Sequence, residues 1–254
     1  MLPFEYTIDE KMFFCFGTAF LVTLFLIPSI VNVARAKSLY ADPNHRSSHQ
    51  GSIPNLGGLA IFSGVMLTSL IFFSFTAFPK FQFTVAGLLI IFFAGFKDDI
   101  IGISPFKKMM AQLIAVAIIV VFGNIRITNL HGFLGITDVP YYIGLLITVI
   151  TVVGITNCFN LIDGIDGLTS SLGMLVAFTF GTWFYLIGEF NWAMLSISLI
   201  GGLLAFFYFN VFGKKNKIFM GDTGSLVLGY LIAVMVIQFN EFNIGLESPW
   251  AIHA

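Results

Sequence analysis

Residues Tyr141–Ile187, YYIGLLITVITVVGITNCFNLIDGIDGLTSSLGMLVAFTFGTWFYLI, are apolar at both ends and polar in the middle. The flanks are continuous runs of the kind that cross a bilayer, for which a helix needs about 20 residues. Between them NCFNLIDGIDGL, 157–168, places Asn157, Asn160, Asp163 and Asp166 at the end of one run. Ionisable groups at such a place are unfavourable in themselves, which makes them candidates for function.

The rest of the chain repeats the theme. Its 254 residues are 57% hydrophobic and only 10% charged, and the mean hydropathy is +0.95. Soluble domains carry about 25% charged residues, so this is an integral membrane protein. Apolar runs fall near 12–34, 54–78, 81–96, 106–123, 140–157, 168–188, 191–212 and 225–239, the third and eighth being short. They predict an all-α fold: a polytopic transmembrane helical bundle of about eight spans, in one domain over 1–254. A closed β-barrel fits poorly, because the runs are continuous rather than alternating. The opening MLPFEYTIDEKMFF lacks a basic leading region and does not read as a secretory signal. Cys15 and Cys158 make neither a disulfide framework nor a C-x-x-C site. A net charge of −1 gives no support for a nucleic-acid partner.

Basic residues set the expected orientation. With the N-terminus outside, one set of connections carries Arg35, Lys37, Arg46, Lys97, Lys107, Lys108, Lys214, Lys215 and Lys217, and the other keeps Lys11, Lys80 and Arg126. The first set is therefore expected in the cytoplasm. On that side every acid is an aspartate: Asp42, Asp98, Asp99, Asp163, Asp166 and Asp222. The outer acids mix Glu with Asp. A set of short carboxylates on one side suggests fixed placement.

Four segments gather these aspartates: DPNHRSSHQGSIPNLGG (42–58), GFKDDIIGISPFKKMMAQ (95–112), the opening stretch, and KKNKIFMGDTGSL (214–226). Each also has a plain reading. Asp98-Asp99 could mark the water boundary after a span. Neighbouring helical residues point about 100° apart, so one ligand with one base or supporting partner is more natural than two equivalent ligands. Ser104-Pro105 reads as an N-cap with proline at the first helical position. Lys107 and Lys108 then oppose the helix dipole in the first turn, and an anion there would offset this. Asn157, Asn160, Asp163 and Asp166 recur every three residues, but Gly164 and Gly167 disfavour a regular helix. A helix end breaking into a turn is expected, with a solvated Asx turn as the plain alternative. Asp222 in GDTGS could be an N-cap of the eighth span, with Ser225 three residues on. His45 and His49 flanking Arg46 point to a phosphate-binding surface more than to a metal. Zinc spacing, a Walker loop and G-x-G-x-x-G are all missing.

Taken together the residues suit phosphoryl chemistry. Mg²⁺ takes a few carboxylate or amide oxygens plus substrate phosphate oxygens, Lys and Arg neutralise phosphate charge, and a spare carboxylate can act as base. A site at the membrane face suits one soluble substrate and one lipid phosphate.

In order and spacing the four segments resemble the polyprenyl-phosphate N-acetylhexosamine-1-phosphate transferases. N-x-x-N-L-I-D-G-I-D-G-L followed by F-M-G-D-T-G-S carries the likeness, and LHGFLGITDVP (130–140) is similar to that family's external hairpin. The resemblance covers nearly the whole chain. It implies transfer of a sugar-1-phosphate, most readily N-acetylglucosamine-1-phosphate, from a UDP-N-acetylhexosamine to undecaprenyl phosphate, with release of UMP. This would be a membrane step of cell-envelope polysaccharide synthesis at the bacterial cytoplasmic membrane. It implies Mg²⁺, or Mn²⁺ in its place, on Asn160 and Asp222. It implies Asp98 as activator of the lipid phosphate with Asp99 beside it, and Asp163 and Asp166 shaping the nucleotide and metal pocket. Lys108, Arg46, His49 and Asn157 are the implied substrate-binding residues, and a homodimer stays open. Transfer of phospho-N-acetylmuramoyl-pentapeptide, or a non-catalytic lipid- or nucleotide-binding relative, are the alternatives. An ion-coupled transporter fits less well, because its charged sites lie near the midplane.

Two departures stand out. Where the family often reads R-K-x-H, this chain has Arg46-Ser47-Ser48-His49. The family's further spans and its histidine-rich H-x-H-H loop do not follow ESPWAIHA, the only nearby histidine being His253, so a truncated gene product or a fragment is the expectation.

Overall fold

The computed structural model describes residues 6–37, 39, 53–74, 78 and 80–251. Among these the regular structure is helical: α1 (Ile8–Ala36), α2 (Gly57–Phe72), α3 (Phe81–Ile101), α4 (Pro105–Val121), α5 (Tyr141–Ile162), α6 (Leu168–Leu186), α7 (Phe190–Phe207) and α8 (Gly221–Phe242). A π-helical turn, Tyr208–Phe212, prolongs α7, and the 130–140 hairpin holds a short 3₁₀ turn with one antiparallel bridge, Asn129 to Asp138. Helices Ile8–Ala36, Tyr141–Ile162, Phe190–Phe212 and Gly221–Phe242 are long and apolar enough to cross a membrane. The chain is an all-α membrane protein, each helix falling on one of the eight apolar runs.

Three boundaries differ from the sequence expectation in ways that matter. Helix α3 runs on past Lys97, so Asp98 and Asp99 are residues of its last turns, and Gly102 at φ +69° ends it. Helix α5 continues through Asn157 and Asn160 to Ile162, and the turn opens at Asp163. Helix α8 begins at Gly221, four residues before the apolar run, because its first N–H groups are capped from elsewhere.

The contacts divide the chain into two compact units. The first holds residues 1–74 and 164–220. Its centre is α7, whose Trp192, Leu195, Leu199, Leu203 and Phe206 are almost wholly buried, with α1, α2 and α6 packed on it. Lipid gives helices little hydrophobic reason to associate, so close approach and buried hydrogen bonds must do that work. The Thr23 hydroxyl donates to the Ala60 carbonyl at 3.2 Å across α1 and α2, where Gly64 leaves room. The start of α2 has no side-chain cap. Instead the Gly58 N–H donates to the Met220 carbonyl at 2.8 Å, and the Gly57 N–H to that of Phe219 at 2.9 Å. Residues 53–58 are thereby joined to the segment that leads into GDTGS.

The second unit holds residues 75–163 and 221–254, with α8 at its centre between α3 and α5. Residues 223–235 of α8 are buried without a break. Two glycines set how closely the neighbours approach. A Cβ on Gly229 would lie 2.6 Å from the Thr156 Cα of α5, and one on Gly95 of α3 would lie 2.6 Å from the Thr223 Cα. The Tyr230 hydroxyl, fully buried, donates to the Thr84 carbonyl of α3 at 3.1 Å.

Candidate active site

Asp99 holds the start of α8. Its Oδ1 accepts the Asp222 N–H at 2.8 Å and its Oδ2 accepts the Thr223 N–H at 2.9 Å and the Thr223 hydroxyl. A carboxylate at a helix N-terminus satisfies orphan donors and meets the positive end of the dipole. Gly95, four residues earlier on the same face of α3, makes the approach feasible. The sequence offers Asp222 as cap of its own helix; the cap comes from α3 instead, and the Asp222 carboxylate is left to face other partners.

Those partners are Lys108 and Asn160. Lys108 Nζ forms an ion pair with Asp98 and lies 3.2 Å from Asp222 Oδ1. Asp98, whose side chain is 9% exposed, also accepts the Ile103 N–H at 2.6 Å. This second bond ties the carboxylate to the backbone of the α3–α4 connection. The expected load of Lys108 against the α4 dipole is thus answered within the protein by two carboxylates, while Lys107 is exposed. Ser104 and Pro105 stand at N-cap and first helical positions as expected, though the Ser104 hydroxyl makes no cap bond. From α5, the Asn160 amide contacts Asp222 Oδ1 and lies 2.9 Å from Ser225 Oγ. Asp98, Lys108, Asn160 and Asp222 thus converge from α3, α4, α5 and α8, all in one unit.

Asp98 and Asp222 share a single ammonium, in a half-buried place beside the Asn160 amide, whose Nδ2 faces Asp222 and whose oxygen would face it after a half-turn of the amide. Carboxylate plus amide oxygen is a donor set that suits a hard divalent cation. Among the described residues no group of three or more His, Cys, Asp or Glu side chains is gathered as a metal site; the fit depends on the asparagine.

Asn157, a turn before Asn160, is engaged within the protein. Its Nδ2 donates to Gln112 Oε1 at 3.0 Å and to the Val153 carbonyl at 2.8 Å, and its Oδ1 accepts from Gln112 Nε2 at 3.3 Å. Asp163 is the C-terminal cap residue of α5. Asp166 lies in the other unit, 2.5 Å from Lys217 Nζ. There the turn is anchored by Asn210: the Gly167 N–H donates to its Oδ1 at 2.7 Å and its Nδ2 donates to the Ile218 carbonyl at 2.9 Å. Arg46, His49 and His253 fall outside the described residues.

Gln112, Thr223 and Asn210 are not singled out by the sequence, and Ser225 and Lys217 enter there only as a capping partner of Asp222 and as one of the basic residues of the cytoplasmic side. Only Gln112 carried a usable signal, since it sits four residues after Lys108 and so shares its face of α4. The others are recognised through partners distant in the chain.

Residues 81–240 match the model of glycosyl transferase family 4, a range that contains every candidate residue except Arg46 and His49. The chain is 36% identical over 227 residues to an undecaprenyl-phosphate alpha-N-acetylglucosaminyl 1-phosphate transferase of Haemophilus influenzae, covering 87% of this chain and 62% of that protein. With the Pasteurella multocida protein of the same description the identity is 37% over 219 residues, 84% of this chain and 59% of the relative. A phospho-N-acetylmuramoyl-pentapeptide-transferase of Bacillus thuringiensis is 27% identical over 254 residues, 92% of this chain and 77% of the relative. The chain therefore spans about three fifths of the length of the two N-acetylglucosaminyl 1-phosphate transferases.

Proposed function

This chain belongs to glycosyl transferase family 4, and from that premise we propose that it transfers N-acetylglucosamine-1-phosphate from UDP-N-acetylglucosamine to undecaprenyl phosphate. The observation that carries the reading is the convergence of Asp98, Lys108, Asn160 and Asp222. Two relatives are described as undecaprenyl-phosphate alpha-N-acetylglucosaminyl 1-phosphate transferases, and the chemistry such a transfer needs matches this set.

In the reaction an oxygen of the lipid phosphate attacks the sugar-bearing phosphorus of the UDP-sugar. A new P–O bond forms, the pyrophosphate P–O bond breaks, and UMP leaves with the electron pair. Asp98 accepts any proton carried by the lipid phosphate and orients it. Lys108 releases one of its two carboxylates to meet a phosphate oxygen and offsets charge as the transition state spreads it. Asp222 and the Asn160 oxygen would hold Mg²⁺, which would bind phosphate oxygens and neutralise charge there. Asp99 acts upon Asp222 by fixing the start of α8. Roles for Asp163, Asp166, Arg46 and His49 toward the nucleotide and its phosphates rest on the family resemblance. The chain would work as a multi-pass protein of the bacterial cytoplasmic membrane, its N-terminus outside and its aspartates on the cytoplasmic face.

The test is a transfer assay in detergent with undecaprenyl phosphate and UDP-N-acetylglucosamine, with and without Mg²⁺, reading UMP and lipid-linked sugar. Mg²⁺-dependent formation of both products in equal amounts is expected. Product only with UDP-N-acetylmuramoyl-pentapeptide would transfer the reading to the Bacillus thuringiensis relative's reaction. Binding of either nucleotide sugar without product would make the chain a non-catalytic relative.

A further inference from the structure

Lys108 and Asn160 reach Asp222 from two different helices, α4 and α5. One turn away from both residues, a pair of side-chain amides joins the same two helices. On α4 the residue one turn beyond Lys108 is Gln112, which is 1% exposed. On α5 the residue one turn before Asn160 is Asn157. The two amides face each other and exchange reciprocal hydrogen bonds, Asn157 Nδ2 to Gln112 Oε1 at 3.0 Å and Gln112 Nε2 to Asn157 Oδ1 at 3.3 Å. The second Asn157 hydrogen goes to the Val153 carbonyl at 2.8 Å. An asparagine amide has two donor hydrogens, and both are used inside the protein.

We propose that Gln112 and Asn157 form a positioning clasp that sets α4 against α5 and thereby places Lys108 and Asn160 together on Asp222. Asn157 then serves the site by holding Asn160, and a nucleotide or sugar does not depend on its side chain. Residues spaced by three or four share a helix face, so each half of the clasp and its active partner move as one rigid turn. An amide pair with one buried member, Gln112, and one half-buried member, Asn157, is directional: both bonds require one register, and a sliding of either helix leaves polar groups unpaired. An apolar contact would tolerate such sliding. The inference that the clasp serves catalysis rests on the proposed transferase reading; the placement of Lys108 does not.

The experiment reads the position of Lys108 without turnover. An amine-acylating ester is applied to the full chain in detergent, and the rates at Lys108 and at exposed Lys107 are compared by fragment mass spectrometry. In the wild type Lys108, held between Asp98 and Asp222, reacts far more slowly than Lys107. Gln112→Ala and Asn157→Ala should each raise the Lys108 to Lys107 ratio about tenfold, a change in the range of coupling between touching residues. The double alanine variant should add little to the larger single effect. The exchanged pair, Gln112→Asn with Asn157→Gln, rebuilds two facing amides and should return the ratio most of the way, which also guards against singles that merely unfold. Lys108 protection unchanged in both single variants, or alanine effects that simply multiply, would overturn the clasp. Transfer is assayed on the same samples: a protection pattern that follows the prediction while the wild type forms no product would refute the transferase reading and leave the clasp standing. If instead Asn157→Ala alone raised the KM for the UDP-sugar, with Lys108 still protected, Asn157 would be a substrate contact.

Discussion

Replacing Asp99 by Asn tests whether the two neighbouring carboxylates divide as proposed, Asp99 holding the start of α8 and Asp98 serving the transfer. The substitution keeps one oxygen, enough for the Asp222 N–H, and turns an NH₂ toward the Thr223 N–H and hydroxyl. Two donors lose their acceptor. Stranding a buried N–H costs about 1–3 kcal/mol, and the hydroxyl bond contributes about 0.5–1.5 kcal/mol more. The hydroxyl can turn away, which brings the expected loss to about 3 kcal/mol, most of it from the stranded N–H. For a chain of this size about 3 kcal/mol corresponds to a fall in thermal midpoint of roughly 6–12 °C. The assay is thermal unfolding in detergent followed by tryptophan fluorescence, alongside Asp98→Asn as comparison. Asp98→Asn should shift the midpoint far less while lowering transfer about 100-fold or more, as expected for loss of a proton-accepting group. An Asp99→Asn midpoint within about 2 °C of wild type, with transfer abolished, would refute the cap and make Asp99 the reacting carboxylate.

Other substitutions test the remaining contacts. Gly95→Ala puts a Cβ 2.6 Å from the Thr223 Cα; overpacking of about 1–3 kcal/mol is expected, seen as a lowered midpoint and a weakened response of transfer to Mg²⁺. Lys108→Met leaves Asp98 and Asp222 without their shared ammonium, so Mn²⁺ binding measured by electron paramagnetic resonance should tighten while transfer falls about 100-fold. Asn210→Leu strands the Gly167 N–H and the Ile218 carbonyl, at about 1–3 kcal/mol each, whereas Asn210→Asp keeps the first bond and should lower the thermal midpoint by about half as much.

Much of the architecture was legible because lipid imposes a simple grammar. Apolar runs must be helices there, and eight runs became eight helices with ends shifted by a few residues. The Ser104-Pro105 start of α4 was readable for the same local reason. What escaped was set by partners remote in the chain. Asp98 and Asp99 look alike in sequence, yet helical geometry sends one to Lys108 on α4 and the other to the start of α8. Asn157 looks like Asn160 until Gln112 is seen opposite it. The continuation of α5 through both asparagines was missed because glycine at 164 and 167 was weighed against the helix, while the glycines fall just past its end. Asp222 as its own cap was a fair local expectation that a tertiary partner displaced.

If Asp98, Lys108, Asn160 and Asp222 form the proposed transfer centre, neutralising one of them must slow the chemical step itself. A single-turnover experiment tests it most directly: excess protein, radiolabelled UDP-N-acetylglucosamine and undecaprenyl phosphate, comparing wild type with Asp222→Asn at fixed Mg²⁺. The wild type should form lipid-linked sugar in one exponential phase and the variant at a rate at least about 100-fold lower, with the folded state retained. Equal rates in the two proteins would contradict it.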